Sequence, residues 1–433
     1  LWDLDAAGKT MLTVTKPDGS KYTGGLIDGA ATFKAVKKGT TTLICRAPNG
    51  RTKVLTVTVK PKPDESVPKS INATAAHTYT FNGKISGTDG NGNPCNLETV
   101  LASDTAKKVV LRGEIQFTKR YPVGSNTEID ATGATIYSAS NGDGCLTNVV
   151  DSYNYDAVRN IVIRGGTWKK MDGFEKTMFL FVHGSNIRIE DVKRIECAYN
   201  GGHCIELVAC KDVIIKNCQE LVMIGANPAN NEDEPLQLDH ASPSTAPSIP
   251  AAAKNRHACQ NVQITGSTMV GGRGLCAGHG GTDSESQHIY HKNIWIENNK
   301  ITGVSSEACA MFNVCGLTVT GNTITASGGD VTKVNSVALH VQIPEKSKAP
   351  AEMASSTVLI SGNTCTGGRN CILVYSHSDY HSKFGTVKIL NNTLYYRGKA
   401  DSAITTGGWD HQAGKSFDAI TSLTVSGNTK IKK

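Results

Sequence analysis

Charge and aromatic residues are both scarce in this chain. Charged side chains make up 19% and aromatic ones 6% of 433 residues. That is too little charge for a coiled coil, and the 39% hydrophobic content is too high for a chain that stays unfolded. Glycine is plentiful, 44 residues, but without the every-third-residue period of a collagen. No run of five like charges occurs, and the +7 net charge is spread along the chain, so a nucleic-acid-binding arm is not expected. No apolar run reaches membrane-spanning length, so no membrane span is expected. The chain opens at Leu1 with no charged segment leading into an apolar one, which reads as a processed protein or an excised fragment. Thirteen cysteines cannot all pair among themselves, and none stands in a CxxC spacing, which argues against a zinc ribbon. Several lie beside Val or Ile in strand-like runs and read as small buried hydrophobes; one or more disulfides remain the alternative.

Residues 1–60 alternate short apolar-polar runs with turns. Met11-Leu-Thr-Val-Thr precedes a Pro-Asp-Gly turn, Thr40-Thr-Thr-Leu-Ile-Cys precedes Ala-Pro-Asn-Gly, and Val54-Leu-Thr-Val-Thr-Val closes the segment. This pattern predicts a small immunoglobulin-like β-sandwich. It resembles the Ig-like modules common on bacterial surface proteins, and the resemblance implies a secreted or cell-surface protein. Residues 61–69, Pro-Lys-Pro-Asp-Glu-Ser-Val-Pro-Lys, read as a proline-stiffened linker.

Residues 70–433 carry one recurring phrase. Asn160-Ile-Val-Ile, Asn186-Ile-Arg-Ile, Asp212-Val-Ile-Ile, Asn261-Val-Gln-Ile and Asn293-Ile-Trp-Ile-Glu-Asn-Asn are five copies. Gly316-Leu-Thr-Val-Thr-Gly-Asn, Thr357-Val-Leu-Ile-Ser-Gly-Asn, Thr386-Val-Lys-Ile-Leu-Asn-Asn and Ser422-Leu-Thr-Val-Ser-Gly-Asn bring the total to nine. Their first apolar residues begin at 161, 187 and 213, two intervals of 26 by subtraction, and later intervals run from 23 to 49. Alternate Ile and Val point inward, Asn or Gly turns the corner, and each coil stacks on the next at about 4.8 Å. The period predicts an all-β chain built as a right-handed parallel β-helix, with the longer intervals extruded as loops that carry function. The inward set is Ile161, Ile187, Val213, Val262, Ile294, Leu317, Val358, Val387 and Leu423. Ahead of the repeats, Leu97-Glu-Thr-Val-Leu-Ala-Ser-Asp reads as a short amphipathic helix. This entrance resembles the capped end of the pectin-lyase-like superfamily, where a helix covers the open core.

Within the repeats, acids concentrate in Asn231-Glu-Asp-Glu-Pro-Leu-Gln-Leu-Asp-His240. Leu236 and Leu238 set the inward parity, so Asp233, Gln237 and Asp239 face outward. One coil earlier, Ile205 and Leu207 turn Glu206 outward, and aligning the two apolar pairs puts Glu206 beside Gln237. Asp239 then lies roughly 8 Å from Glu206, near enough for acid/base cooperation on a glycosidic bond. Glu232 is a further acid in the run. The next coil supplies Arg273, His279 and Asp283, and later outward positions supply His340, Tyr375 and Trp409, polar and aromatic groups suited to a sugar-binding groove. No metal-ligand set and no cofactor signature stands out.

The order Gly-His-Cys-Ile-Glu-Leu, Glu-Asp-Glu-Pro-Leu-Gln-Leu-Asp, Ala-Gly-His-Gly resembles β-helical glycoside hydrolases. Likeness to the family 28 polygalacturonases implies Glu206 for the first acid, Asp233 and Glu234 for the acid pair, and Gly278-His279-Gly280 for the histidine motif. The Arg-Ile-Lys that grips the substrate carboxylate in that family has no clear counterpart. Likeness to the family 136 lacto-N-biosidases implies Asp239 as nucleophile and an upstream acid, Asp233 or Glu232, as general acid/base. A glycoside hydrolase acting on an oligo- or polysaccharide is therefore the leading expectation. A polysaccharide lyase of the same fold, and a non-catalytic carbohydrate-binding surface or phage-spike protein, are the alternatives.

Overall fold

The structure, a computed structural model, describes residues 2–16, 20–21, 32–35, 39–59, 62–139, 144–173, 177–198, 202–229, 233–242, 250, 257–278, 288–328 and 336–433. The chain divides into two units, residues 1–66 and 67–433.

In the first unit, Trp2–Leu4, Gly39–Arg46 and Thr52–Val59 form an antiparallel sheet, and Leu12–Thr15 pairs antiparallel with Thr32–Ala35. Leu4, Met11, Leu12, Val14 and Leu43 make its small core. Met11, expected to open a strand, instead closes a helix, Ala6–Met11. The reason lies upstream: the Asp5 carboxylate accepts the Gly8 N–H at 2.6 Å as an N-cap. Bonds from Thr41, Gly8 and Thr42 hold that carboxyl well below the usual carboxylate range. The expected sandwich falls partly on residues 22–31, which lie outside the described residues.

The second unit is a parallel β-helix. Each coil contributes a strand to three long sheets, here the first, second and third faces. One coil runs Val158–Arg164 on the first face, Thr167–Lys170 on the second and Phe179–Val182 on the third. The nine repeats stack in unbroken register on the first face, from Ile161 beside Ile187 through to Val387 beside Leu423. Eight of the nine expected inward residues are at most 1% exposed. Leu423 is the correction: it keeps register with Val387 but is 46% exposed, because no described coil follows to cover it. Three earlier first-face strands without the repeated phrase, Thr78–Asn82, Lys107–Arg112 and Thr127–Asp130, continue the parallel stack at the other end, and Ser86–Asp89 and Pro94–Asn96 extend it antiparallel.

The amphipathic helix forms at Leu97–Ala102. Asn96 caps it by accepting the Glu98 N–H at 3.0 Å, and Leu97, Val100 and Leu101 pack into the main core. The stretch read as linker is divided. Pro63–Ser66 is one helical turn, whereas residues 67–69 lie on the β-helix, where Arg188 donates to the carbonyls of Val67 and Pro68 at 3.2 and 3.0 Å. All thirteen cysteines are free thiols, buried except for Cys45 and Cys95. Among the described residues no helix is long and apolar enough to cross a membrane.

Candidate functional site

Loop placement separates the three faces. Between first-face and second-face strands the chain never spends more than four residues. Every long excursion instead enters or leaves a third-face strand: Thr147 to Val158, Ile224 to Leu236, Asp239 to Gln260, Ala277 to His291, Ala326 to Val337 and Ile343 to Thr357. The third face is thus bordered by the segments freest to vary, where binding and chemistry usually reside.

Its strands bring together a stripe of buried ionisable groups. Ile205–Val208 and Leu236–Asp239 pair so that Glu206 lies beside Gln237 and Val208 beside Asp239. Gln237 Nε2 donates to Asp239 Oδ1 at 3.3 Å, and Thr177 Oγ1 donates to Glu206 Oε2 at 3.2 Å. His203 Nδ1 is 2.7 Å from the Glu234 carbonyl, which can only accept, so that nitrogen carries the proton. Arg273 Nη1 stands 3.3 Å from Glu234 Oε1, and its Nε stands 3.2 Å from Glu307 Oε2. The guanidinium also donates to Cys276 Sγ at 3.0 Å and lies 5.7 Å from the centre of the Phe312 ring. Glu307 Oε1 meets His340 Nδ1 at 2.6 Å. The network therefore crosses successive coils, and Glu206, Asp239, Glu234 and Glu307 are all 8% exposed or less.

This environment sorts the protons. Burial pushes the Glu234 carboxyl above its ordinary value; Arg273 and His203 oppose that shift, and the charge of Asp239 adds to it. Burial disfavours the Glu307 carboxylate too, but the His340 hydrogen bond and the charges of His340 and Arg273 outweigh it and hold the group low. Burial also works against a charged His203. The charges of Glu206, Glu234 and Asp239 reverse the balance, and the imidazole titrates above its usual value.

The expected residues divide accordingly. Glu206, Gln237, Asp239 and His340 share the third face, and Arg273 sits in the turn that enters it just before Leu275–Ala277; Gln237 and His340 belong to one outward column that runs through Cys276 and Ala310. Asp233 is 1% exposed, and its carbonyl accepts the Gly272 N–H at 2.8 Å. Glu232, His279 and Asp283 lie outside the described residues. Tyr375 stands beside Gln342 and Gly407, farther toward the C-terminus. Trp409 is half-buried in the short antiparallel pairing with Ser416. Sequence reasoning passed over His203 and Glu307, and reached Glu234 only through the polygalacturonase likeness. Glu307 carries the same signal that marked Glu206, a carboxylate joined to an apolar strand, Ala308-Cys-Ala-Met-Phe312.

Past the network, the third face ends in imidazoles. His377 Nδ1 and His411 Nε2 are 3.0 Å apart, and Tyr375 packs on His377 with ring centres 4.9 Å apart. His381 Nε2 pairs with the Asp410 carboxylate. Among the described residues no group of three or more His, Cys, Asp or Glu side chains is placed to hold a metal ion.

The chain is a parallel β-helix protein. Comparison with protein-family models finds no match, and comparison with curated proteins finds none either. Among solved structures the chain is similar to PfbA, a surface adhesin of Streptococcus pneumoniae, at 13% identity and a TM-score of 0.42, over 78% of this chain and 85% of that one. No glycoside hydrolase family is supported by these comparisons, so the likeness to families 28 and 136 rests on short motifs alone.

Proposed function

We propose that the third face is the active groove of a secreted or surface-borne glycoside hydrolase, with Glu234 as the proton donor and Asp239 as its ionised partner. One observation carries the reading: Glu234 is a buried carboxyl held above its ordinary pKa beside a second carboxylate. Two carboxyl groups whose environments separate their protonation states are what glycosidic cleavage needs. Glu234 would give its proton to the departing oxygen. Asp239, hydrogen-bonded by the Gln237 amide, would face the positive charge that develops on the sugar ring. Asp233 and Glu206 remain the alternate acids, and Glu232 lies in the same acidic run.

The test is a glycan panel with product detection. Glu234→Gln and Asp239→Asn should each lower turnover by about 10²–10⁴-fold while the protein stays folded. In the parent, activity should fall as pH rises above the usual carboxylate range, because Glu234 then loses the proton it donates; Glu234→Gln should remove that limb. New reducing ends mean hydrolysis, and an ultraviolet-absorbing unsaturated product means elimination. The competing reading, a carbohydrate-binding surface without turnover, is favoured by the low exposure of the four carboxylates in the network. Glycan retention with no product would establish it in place of hydrolysis.

A further inference from the structure

We infer that Glu307 is a positioning residue for the proposed proton donor: it holds the Arg273 guanidinium between two carboxyl groups, so that Glu234 receives only part of that cation. This rests on the assignment of Glu234 above. The turn Gly271-Gly-Arg-Gly274 is fastened to both coils that flank it. Toward the preceding coil the Gly272 N–H donates to the Asp233 carbonyl at 2.8 Å, and toward the following one the Gly274 N–H donates to the Ala308 carbonyl at 2.9 Å. The Ser305 hydroxyl adds a bond to the Gly272 carbonyl at 2.6 Å. A side chain at Gly271 would run into the Asp233 carbonyl and the Pro235 ring, so glycine lets the turn lie that close. Arg273 is thereby set between the residue after Asp233 and the residue before Ala308, which are Glu234 and Glu307.

The guanidinium closes on neither acid. Its Nη1 directs a hydrogen bond to Cys276 Sγ at 3.0 Å and stands 3.3 Å from Glu234 Oε1. Its Nε stands 3.2 Å from Glu307 Oε2 without an aligned hydrogen bond. A hydrogen-bonded cation–carboxylate pair closes to about 2.7–2.9 Å, so the charge of Arg273 is shared rather than committed. On the far side, the His340 hydrogen bond at 2.6 Å holds the Glu307 carboxyl low, and its negative charge persists. The other groups facing Glu234 are His203, with Nδ1 4.0 Å from Glu234 Oε2, the charge of Asp239, and the Cys276 thiol, which burial pushes up. Without the Glu307 charge, the field of Arg273 would fall on Glu234 unopposed and draw off its proton.

The test follows the Glu234 carboxyl by carbon-13 NMR on the whole chain labelled at its glutamate carboxyls, the Glu234 signal being the one missing from Glu234→Gln. Glu307→Gln keeps the shape and removes the charge, and should lower the Glu234 titration midpoint by about 1 pH unit. Glu307→Asp keeps the charge but draws it back from Arg273, and should lower the midpoint by a smaller step; it carries the test should Glu307→Gln not fold. Arg273→Gln combined with Glu307→Gln removes cation and anion together, and should return the midpoint to the parent's or above. On a cleaved glycan, the high-pH limb of Glu307→Gln should move with the midpoint, costing about tenfold in kcat above it with KM within about twofold. A midpoint that neither Glu307 variant moves, or one below the parent's in the paired variant, overturns the inference. A midpoint that falls in Glu307→Gln and returns in the paired variant supports it even where no glycan is cleaved; that outcome counts against hydrolysis alone. Cleavage whose pH limb Glu307→Gln leaves in place counts against the role of Glu307 alone.

Discussion

His377 shows how much one side chain can report. Its Nδ1 faces His411 Nε2 at 3.0 Å, with the rings 5.3 Å apart and inclined by 24°. One nitrogen must donate and the other accept, so the contact fails when both rings are protonated. Burial, then the charges of His411 and His340, bring the His377 pKa down to about 4. The other charged groups close by are Asp379, which accepts the His411 N–H at 3.1 Å, and the His381–Asp410 pair. An unfolded chain takes up this proton near pH 6.5, the folded chain only near 4, so between those values the unfolded state binds more protons. The resulting stability is complete above about pH 6.5 and is lost as pH falls toward 4. The melting temperature should therefore drop across this window, and His377→Asn should flatten the drop. An unchanged slope in that variant would mean that the pair does not govern acid stability.

Strand and turn explain why the fold was legible. The Gly-Asn or Asn-Asn that closes the later repeats has two separate duties. Its first residue bends the chain through the left-handed region, at φ 56° for Asn298, 68° for Gly321 and 66° for Gly362, where Gly and Asn pay least. The second Asn turns inward and stacks coil on coil. Asn363 Nδ2 donates to the Val319 carbonyl at 2.8 Å and to Asn392 Oδ1 at 3.0 Å, while its Oδ1 accepts the Asn322 N–H at 2.9 Å. Asn363→Leu would leave those buried groups unsatisfied, and should cost about 2–4 kcal/mol in chemical denaturation. Asn298→Gly, at the turn position, should change stability by less than about 1 kcal/mol. Equal costs would show that the inner ladder is not the coil-to-coil fastening. These duties recur with the period, so the coils could be read from sequence, and Glu206 beside Gln237 followed from the same parity. The network could not. Arg273, in the turn before Leu275–Ala277, reaches Glu234 on the preceding coil and Glu307 on the following one, and the connections into those three strands differ in length, so no period encodes the meeting. The helix at Ala6–Met11 escaped for a related reason: the Asp5 cap outweighed an alternating pattern.

At the scale of the whole molecule, a solenoid has no single centre, and each coil is buried only by its neighbours. The cost of a truncation should therefore depend on where its coil stands rather than on the side chain alone. Ile389 and Val425 are register partners on adjacent first-face strands, yet Ile389 is 0% exposed and Val425 46%. Leu423, 46% exposed, and Ile431, 39% exposed, lie on the same last described coil, whereas the helix Leu97–Ala102 covers the core at the other end. Ile389→Ala removes methyl groups from a packed layer and should cost about 2–5 kcal/mol, transfer and cavity together. Val425→Ala removes groups still half in water and should cost less than about 1 kcal/mol. Denaturation midpoints of the two variants against the parent provide the measurement. A Val425→Ala cost comparable to that of Ile389→Ala would mean that Val425 is covered in solution, and the end of the stack would then count as an interior layer.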